Sequence, residues 1–96
     1  MKKSFKNSNL LHKKALNSIP MATQTFSKSS LQWPFGSAPM YMQKGKGCYI
    51  YDIDGHKYID YLLALMPLIL GYADRDVDVA VRKQMKQGIL HSMSHP

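Results

Sequence analysis

From Tyr61 to Ala73 the chain runs through YLLALMPLILGYA without a charge, and this stretch constrains the fold more than any other. A bilayer-spanning helix needs about 20 apolar residues, and this run is shorter and interrupted by Pro67 and Gly71. Protein must therefore bury it, in a chain of 96 residues that has little else to cover it with. Immediately upstream lies a hairpin signal. Cys48 to Tyr51 and His56 to Tyr61 are rich in Tyr and Ile, and Asp52-Ile53-Asp54-Gly55 between them supplies turn chemistry, with Gly55 free to take positive φ. The pattern predicts an antiparallel hairpin over 48–61. Gly45 and Gly47 predict a bend through which a preceding strand, about Met40 to Gln43, enters the same sheet.

The flanks predict helices. Asn7 to Ser18 reads as a short helix with Leu10, Leu11 and Leu16 on its apolar stripe, Ser8 or Asn9 as cap, and an end before Pro20. Met21 to Pro39 reads as an extended segment anchored by Phe26, Trp33 and Phe35, docked either on a neighbour or within this chain. Asp74 or Asp76 caps a second helix that runs to about Gln87, with Gly88 just past its end. Val77, Ala80, Val81, Gln84 and Met85 share one face of it, the spacing of core packing. Ile89 to Pro96 reads as extended. The fold class is α+β, a small antiparallel sheet with flanking helices. A basic arm with a short helix over 1–30 precedes the α+β segment over 31–96.

Charge is unevenly placed. All eight charged residues before Asp52 are lysines, whereas Asp52 to Pro96 carries six Asp against five Lys and Arg. The net charge of +7 thus belongs to the first half. That half lacks the arginines and interleaved aromatics that grip phosphates and stack bases, so a solvated terminus is expected and no nucleic acid. With no apolar signal-type run in Met1 to Lys14 and one cysteine, Cys48, read as a strand residue, the expectation is a reducing, cytoplasmic setting without membrane contact.

Catalytic constellations are missing from the pattern. Asp52, Asp54 and Gly55 begin like a calcium loop, but Lys57 follows and no acid stands at the twelfth position, so no metal is expected. His12, His56, His91 and His95 are scattered, and the surroundings of His91 and His95 argue against a helix that would join them on one face. There is no Glu and no Ser in a glycine-flanked elbow. No catalytic residue is assigned.

A resemblance joins these pieces. Ala15-Leu16, Ile19-Pro20, Thr25-Phe26-Ser27-Lys28, Ala38-Pro39, Lys44-Gly45-Lys46-Gly47, Tyr51-Asp52-Ile53-Asp54-Gly55, Tyr58-Ile59-Asp60-Tyr61, Pro67-Leu68-Ile69-Leu70-Gly71 and Ala80-Val81 follow in order. In that order and spacing the chain resembles the start of a class III pyridoxal-phosphate aminotransferase, nearest the glutamate-1-semialdehyde aminomutase branch. The resemblance implies the N-terminal part of a fold type I enzyme several hundred residues long, ending before the large cofactor-binding domain. It implies a homodimer acting on an amino-acid or amino-sugar type substrate with pyridoxal phosphate as cofactor. The family's Ser-Gly-Thr-Glu-Ala phosphate loop, ring-stacking aromatic, ring-nitrogen Asp and Schiff-base Lys would all lie further along, so no cofactor is expected on this chain alone.

By position, the resemblance places Thr25, Ser27 and Lys28 near an Arg-bearing substrate segment, and Leu65 and Met66 where the branch has Trp-Gly. These five are the candidate substrate-binding residues. Lys28 would offer a point charge where Arg offers a fork. Tyr72 replaces a His, and Met21-Ala22 replace a Gly pair, which stiffens that loop. The expected function is an inert N-terminal segment of an aminotransferase or aminomutase. The alternative is a small basic interaction module that docks through its aromatic and apolar segments.

Overall fold

The computed structural model describes residues 3–96, so Met1 and Lys2 of the basic arm lie outside it. The expected turn at Asp52-Ile53-Asp54-Gly55 joins β2 (Tyr49–Asp52) to β3 (Lys57–Ile59), and Gly55 sits at φ +86°. The two strands pair antiparallel with Tyr49 opposite Ile59 and Tyr51 opposite Lys57. On the other edge of β2 lies β1 (Met42–Lys46), with Lys46 opposite Tyr49 and a bulge between Met42 and Lys44. The sheet order is β1-β2-β3.

This corrects two expectations. The first strand is displaced toward the C-terminus from Met40–Gln43, because Gly45 lies inside the strand rather than at a bend. Cys48 is an exposed turn residue that with Gly47 joins β1 to β2, not a strand residue.

Helix α1 spans Lys6–Ala15 and stops before Pro20. Neither Ser8 nor Asn9 caps it. The carboxylate of Asp54, in the hairpin turn, accepts the N–H groups of Asn7 at 2.7 Å and Ser8 at 3.0 Å, so a distant residue satisfies the open donors of the first turn. This docking decides which face of α1 turns inward. Phe5, Ser8 and His12 are buried, at three- and four-residue spacing. The leucine stripe faces solvent, with Leu10 58% and Leu16 53% exposed. Ser8 Oγ accepts the Met40 N–H at 3.0 Å, and the His12 ring packs 5.0 Å from that of Phe35.

The segment expected to be extended is instead coiled into short turns, at Pro20–Ala22, at Phe26–Lys28 and through residues 30–37. Met21 and Ala22 take φ of 58° and 57°, the left-handed region where a Gly pair would be unstrained. The Ala22 carbonyl accepts the Tyr41 hydroxyl at 3.1 Å, which ties this loop to the start of β1. Trp33 donates its ring N–H to the Ser27 carbonyl at 2.9 Å.

Helix α2 spans Arg75–Met85, and Asp74 caps it by accepting from Asp76 N–H at 3.1 Å and Val77 N–H at 3.0 Å. None of its residues is buried. The Val77, Val81 and Met85 face is exposed rather than packed, which corrects the expectation of core packing, because among the described residues no other helix or strand packs closely against it. The residues after Gly88 form no regular element, as expected, yet the rings of His91 and His95 approach to 4.8 Å without a helix.

Among the described residues, Phe5 and Ala22 are the buried hydrophobic side chains, while Ser8, His12, Ser29 and Asp52 are buried polar ones. The radius of gyration is 16.7 Å, against about 12–13 Å for a compact chain of this length. Hydrogen bonds, more than apolar packing, join these elements. The Asp54 cap should accordingly be measurable: Asp54→Ala should lower the stability of the full chain to urea by about 1–2 kcal/mol, with Asp54→Asn costing less because it keeps an acceptor.

Candidate functional site

The hairpin turn closes around one carboxylate. Asp52 is fully buried and accepts four hydrogen bonds. One oxygen takes the backbone N–H groups of Asp54 at 3.0 Å and His56 at 2.8 Å. The other takes the Tyr58 hydroxyl at 2.8 Å and lies 2.8 Å from His56 Nδ1. Burial pushes the Asp52 carboxyl up, but the hydrogen bonds from His56 and Tyr58 outweigh it and hold the group below the usual carboxylate range. The Tyr58 hydroxyl is pushed well up by burial and by the same bond. Phe5 meets the His56 ring edge-on at 5.5 Å, and Lys3 Nζ stands 3.8 Å over the Tyr58 ring.

An Asp-His pair of this kind can orient an imidazole for proton transfer. Here two of the four bonds go to the backbone of the turn itself, and among the described residues no nucleophile is hydrogen-bonded to His56. The cluster locks a turn.

A second node joins the glycine motif to the end of the apolar run. Gly47 and Tyr72 exchange backbone hydrogen bonds at 2.8 and 2.9 Å, and Tyr72 lays its ring against Gly45. A Cβ on Gly45 would fall inside that ring, and one on Gly71, at φ +84°, would meet the Gly47 carbonyl oxygen at 2.7 Å. Both glycines are required by close approach. The Tyr72 hydroxyl donates to Asp60 at 2.6 Å. This bond, the largest influence on Asp60, holds its carboxyl below the usual range, and burial with the same bond pushes the Tyr72 phenol up to about 12. Asp60 also accepts the N–H groups of Leu62 at 2.8 Å and Leu63 at 3.2 Å.

Beyond Asp60, Leu63, Ala64, Leu65 and Met66 all have positive φ, between 49° and 88°. Non-glycine residues adopt this region at about 1–2 kcal/mol each. Leu65 and Met66, at the end of this turn, are 67% and 78% exposed. Thr25, Ser27 and Lys28 are exposed as well, in the turn at Phe26–Lys28, where the Thr25 and Ser27 hydroxyls stand 3.4 Å apart. No hydrogen bond among the described residues links the two groups. Beside the Gly47–Tyr72 bridge an open depression of about 510 Å³ is lined by Lys46, Tyr49, Tyr51, Leu70, Asp74 and Arg75, among others, and the Arg75 side chain already pairs with Asp76 at 3.1 Å.

Several charged groups of the sheet and its turns are already engaged within the chain. Lys44 and Lys57 stand over the rings of Tyr51 and Tyr49, at 5.0 and 3.5 Å. The carboxylates of Asp52, Asp54 and Asp60 are committed to internal hydrogen bonds. No group of three or more metal-ligating side chains occurs among the described residues, and no helix there is long and apolar enough to cross a membrane. Asp60 and Tyr72, joined at 2.6 Å, carry the best-defined geometry near Leu65 and Met66, and neither is among the five candidate residues. Their spacing within the motif string was the available signal.

Comparison with known proteins bears directly on this geometry. The family model described as Aminotransferase class-III matches residues 34–95, which contain both nodes and α2. The glutamate-1-semialdehyde 2,1-aminomutase of Campylobacter hominis is 51% identical over 61 residues, covering 64% of this chain and 14% of that protein. An omega-transaminase from Sphaerobacter thermophilus superposes with a TM-score of 0.79 at 28% identity, covering 92% of this chain and 19% of the other. The FumI protein of a Sphingopyxis species, in its pyridoxal-phosphate internal aldimine form, gives 0.79 at 26% identity, covering 91% and 20%. The chain thus spans about a seventh of the curated relative and about a fifth of these structures.

The buried Asp52 and the half-buried Asp60 set a pH signature. Asp52 and Asp60 titrate below their unfolded value of about 4, so their contribution is complete above that pH and is lost as pH falls through their lowered values. Urea midpoints of the full chain should be level from pH 7 to about 5 and fall below about 4. Asp52→Ala, which leaves four donors without their acceptor, should cost about 2–4 kcal/mol at pH 7 and flatten that acid fall.

Proposed function

The chain belongs to the class III aminotransferase family, and from that premise we propose that it is the N-terminal small-sheet segment of a pyridoxal-phosphate-dependent aminotransferase or aminomutase, inert in amino-group transfer by itself. One observation carries the reading. The family-matched residues build two complete structural nodes, at Asp52 and at Asp60–Tyr72, yet leave the apolar surface from Leu62 to Leu70 and the valine face of α2 uncovered. A catalytic segment would place its acids toward a cleft. These acids hold a shape.

In this reading the segment forms one side of the substrate entrance. Leu65 and Met66 supply an apolar wall, and Thr25 and Ser27 offer hydroxyls. Lys28 offers a single positive charge to a substrate carboxylate, without the bidentate geometry of Arg. The substrate is of amino-acid or amino-sugar type, the full assembly is a homodimer in the cytoplasm, and the high identity to an aminomutase makes intramolecular amino transfer one of the two candidate reactions. Pyridoxal phosphate, when bound by the complete enzyme, supplies the electron sink for that chemistry. This chain binds and shapes; it does not hold the cofactor.

Two measurements test the reading. The purified chain, incubated with pyridoxal phosphate and then borohydride, should give only scattered labelling, and a stoichiometric adduct on one lysine with turnover would overturn its inertness. Residues 34–95 grafted in place of the matching segment of the Campylobacter hominis aminomutase should yield a cofactor-loaded, active enzyme. A folded, loaded graft with no amino-transfer activity would reject the proposed role.

A further inference from the structure

The loop between Asp60 and Tyr72 is pinned twice at its base. The Asp60 N–H donates to the Cys48 carbonyl at 2.9 Å, and Tyr72 exchanges two backbone bonds with Gly47. Both ends therefore sit on one two-residue turn of the sheet, and backbone bonds alone would close the loop. The side chains add a separate connection. Tyr72 reaches across the base to one oxygen of Asp60 at 2.6 Å, while the other oxygen holds the N–H groups of Leu62 and Leu63. Directly after these two amides the chain enters the left-handed stretch from Leu63 to Met66, closed by the Leu65 N–H on the Leu62 carbonyl at 2.8 Å.

We propose that Asp60 and Tyr72 are a positioning pair: the phenol orients the carboxylate, the carboxylate fixes the first two amides of the turn, and this sets where Leu65 and Met66 project. Four successive non-glycine residues at positive φ need such a constraint, since each relaxes to a commoner conformation when released. Packing does not supply it, for Leu62, Leu65 and Met66 are all more than half exposed. The lowered titration of Asp60 and the raised titration of Tyr72 agree with a short, charge-assisted bond. Tyr72 is held for this by Gly45, whose missing side chain leaves room for the ring. That the turn forms a substrate wall rests on the function proposed above; the coupling of the pair to the turn does not.

The test is made on the full chain by NMR. Tyr72→Phe should speed exchange of the Leu62 and Leu63 amides at least tenfold and average out the left-handed couplings of residues 63–66. The base amides of Gly47, Asp60 and Tyr72 should keep their protection, and the Asp60 carboxyl should titrate closer to an ordinary aspartate. Asp60→Ala should have the same effect on the turn, and the double variant should add nothing further. Unchanged turn couplings in Tyr72→Phe, loss of the base amides in parallel with the turn, or additive effects in the double variant would each overturn the pair. In the active graft, Leu65→Ala should change KM more than kcat. A KM indifferent to Leu65→Ala would reject the substrate wall and leave the coupling intact.

Discussion

The Asp52 carboxylate is the constraint on which the rest of the chain hangs. Removing a carboxylate from water costs several kcal/mol unless its lone pairs are filled, and here four donors fill them, two from the backbone of its own turn. The turn so fixed carries Asp54 outward to the start of α1, and that bond selects the helix face that meets the sheet. The polar hub also orients His56, on which Phe5 packs. A buried acid therefore does the organising that a hydrophobic core does in a compact domain. With Phe5 and Ala22 as the buried hydrophobics among the described residues, little else joins α1 to the sheet.

The same arrangement explains why so much apolar surface faces outward. The inward side of α1 is chosen by a carboxylate, so Leu10 and Leu16 are left on the opposite side. The loop from Asp60 to Tyr72 is shaped by hydrogen bonds at its base, so Leu65 and Ile69 project freely. Helix α2 has a good cap and an apolar stripe, and among the described residues no other helix or strand packs closely against it. These three surfaces suit a segment that completes its packing against further protein. That agrees with a chain matching about a seventh of a curated relative while superposing over most of its own length on larger transaminases.

Local chemistry was legible and remote chemistry was not. The Asp-Ile-Asp-Gly turn, the Asp74 cap and the end of α1 before Pro20 follow rules that operate within a few residues, and the structure agrees with them. The cap of α1 comes from a residue 47 positions away, which no local rule reaches, and it leaves the leucine stripe toward solvent. Gly45 reads locally as a bend because glycine weakens strands, whereas the residue that requires it, Tyr72, lies far along the sequence. The five candidate substrate residues came from resemblance alone. The structure places them on exposed turns, and the pair that shapes one of those turns becomes visible only when Asp60 and Tyr72 are seen together.

The long reach of Asp54 also orders events in time. Asn7 and Ser8 are made early in synthesis, and the carboxylate that accepts their amides follows more than forty residues later, in a turn that must itself close before it can present that group. Closing so long a loop carries an entropic cost that a formed hairpin can meet and an open chain cannot. Docking of the first helix on the sheet therefore requires the hairpin turn to be closed, since that turn presents the carboxylate to the Asn7 and Ser8 amides.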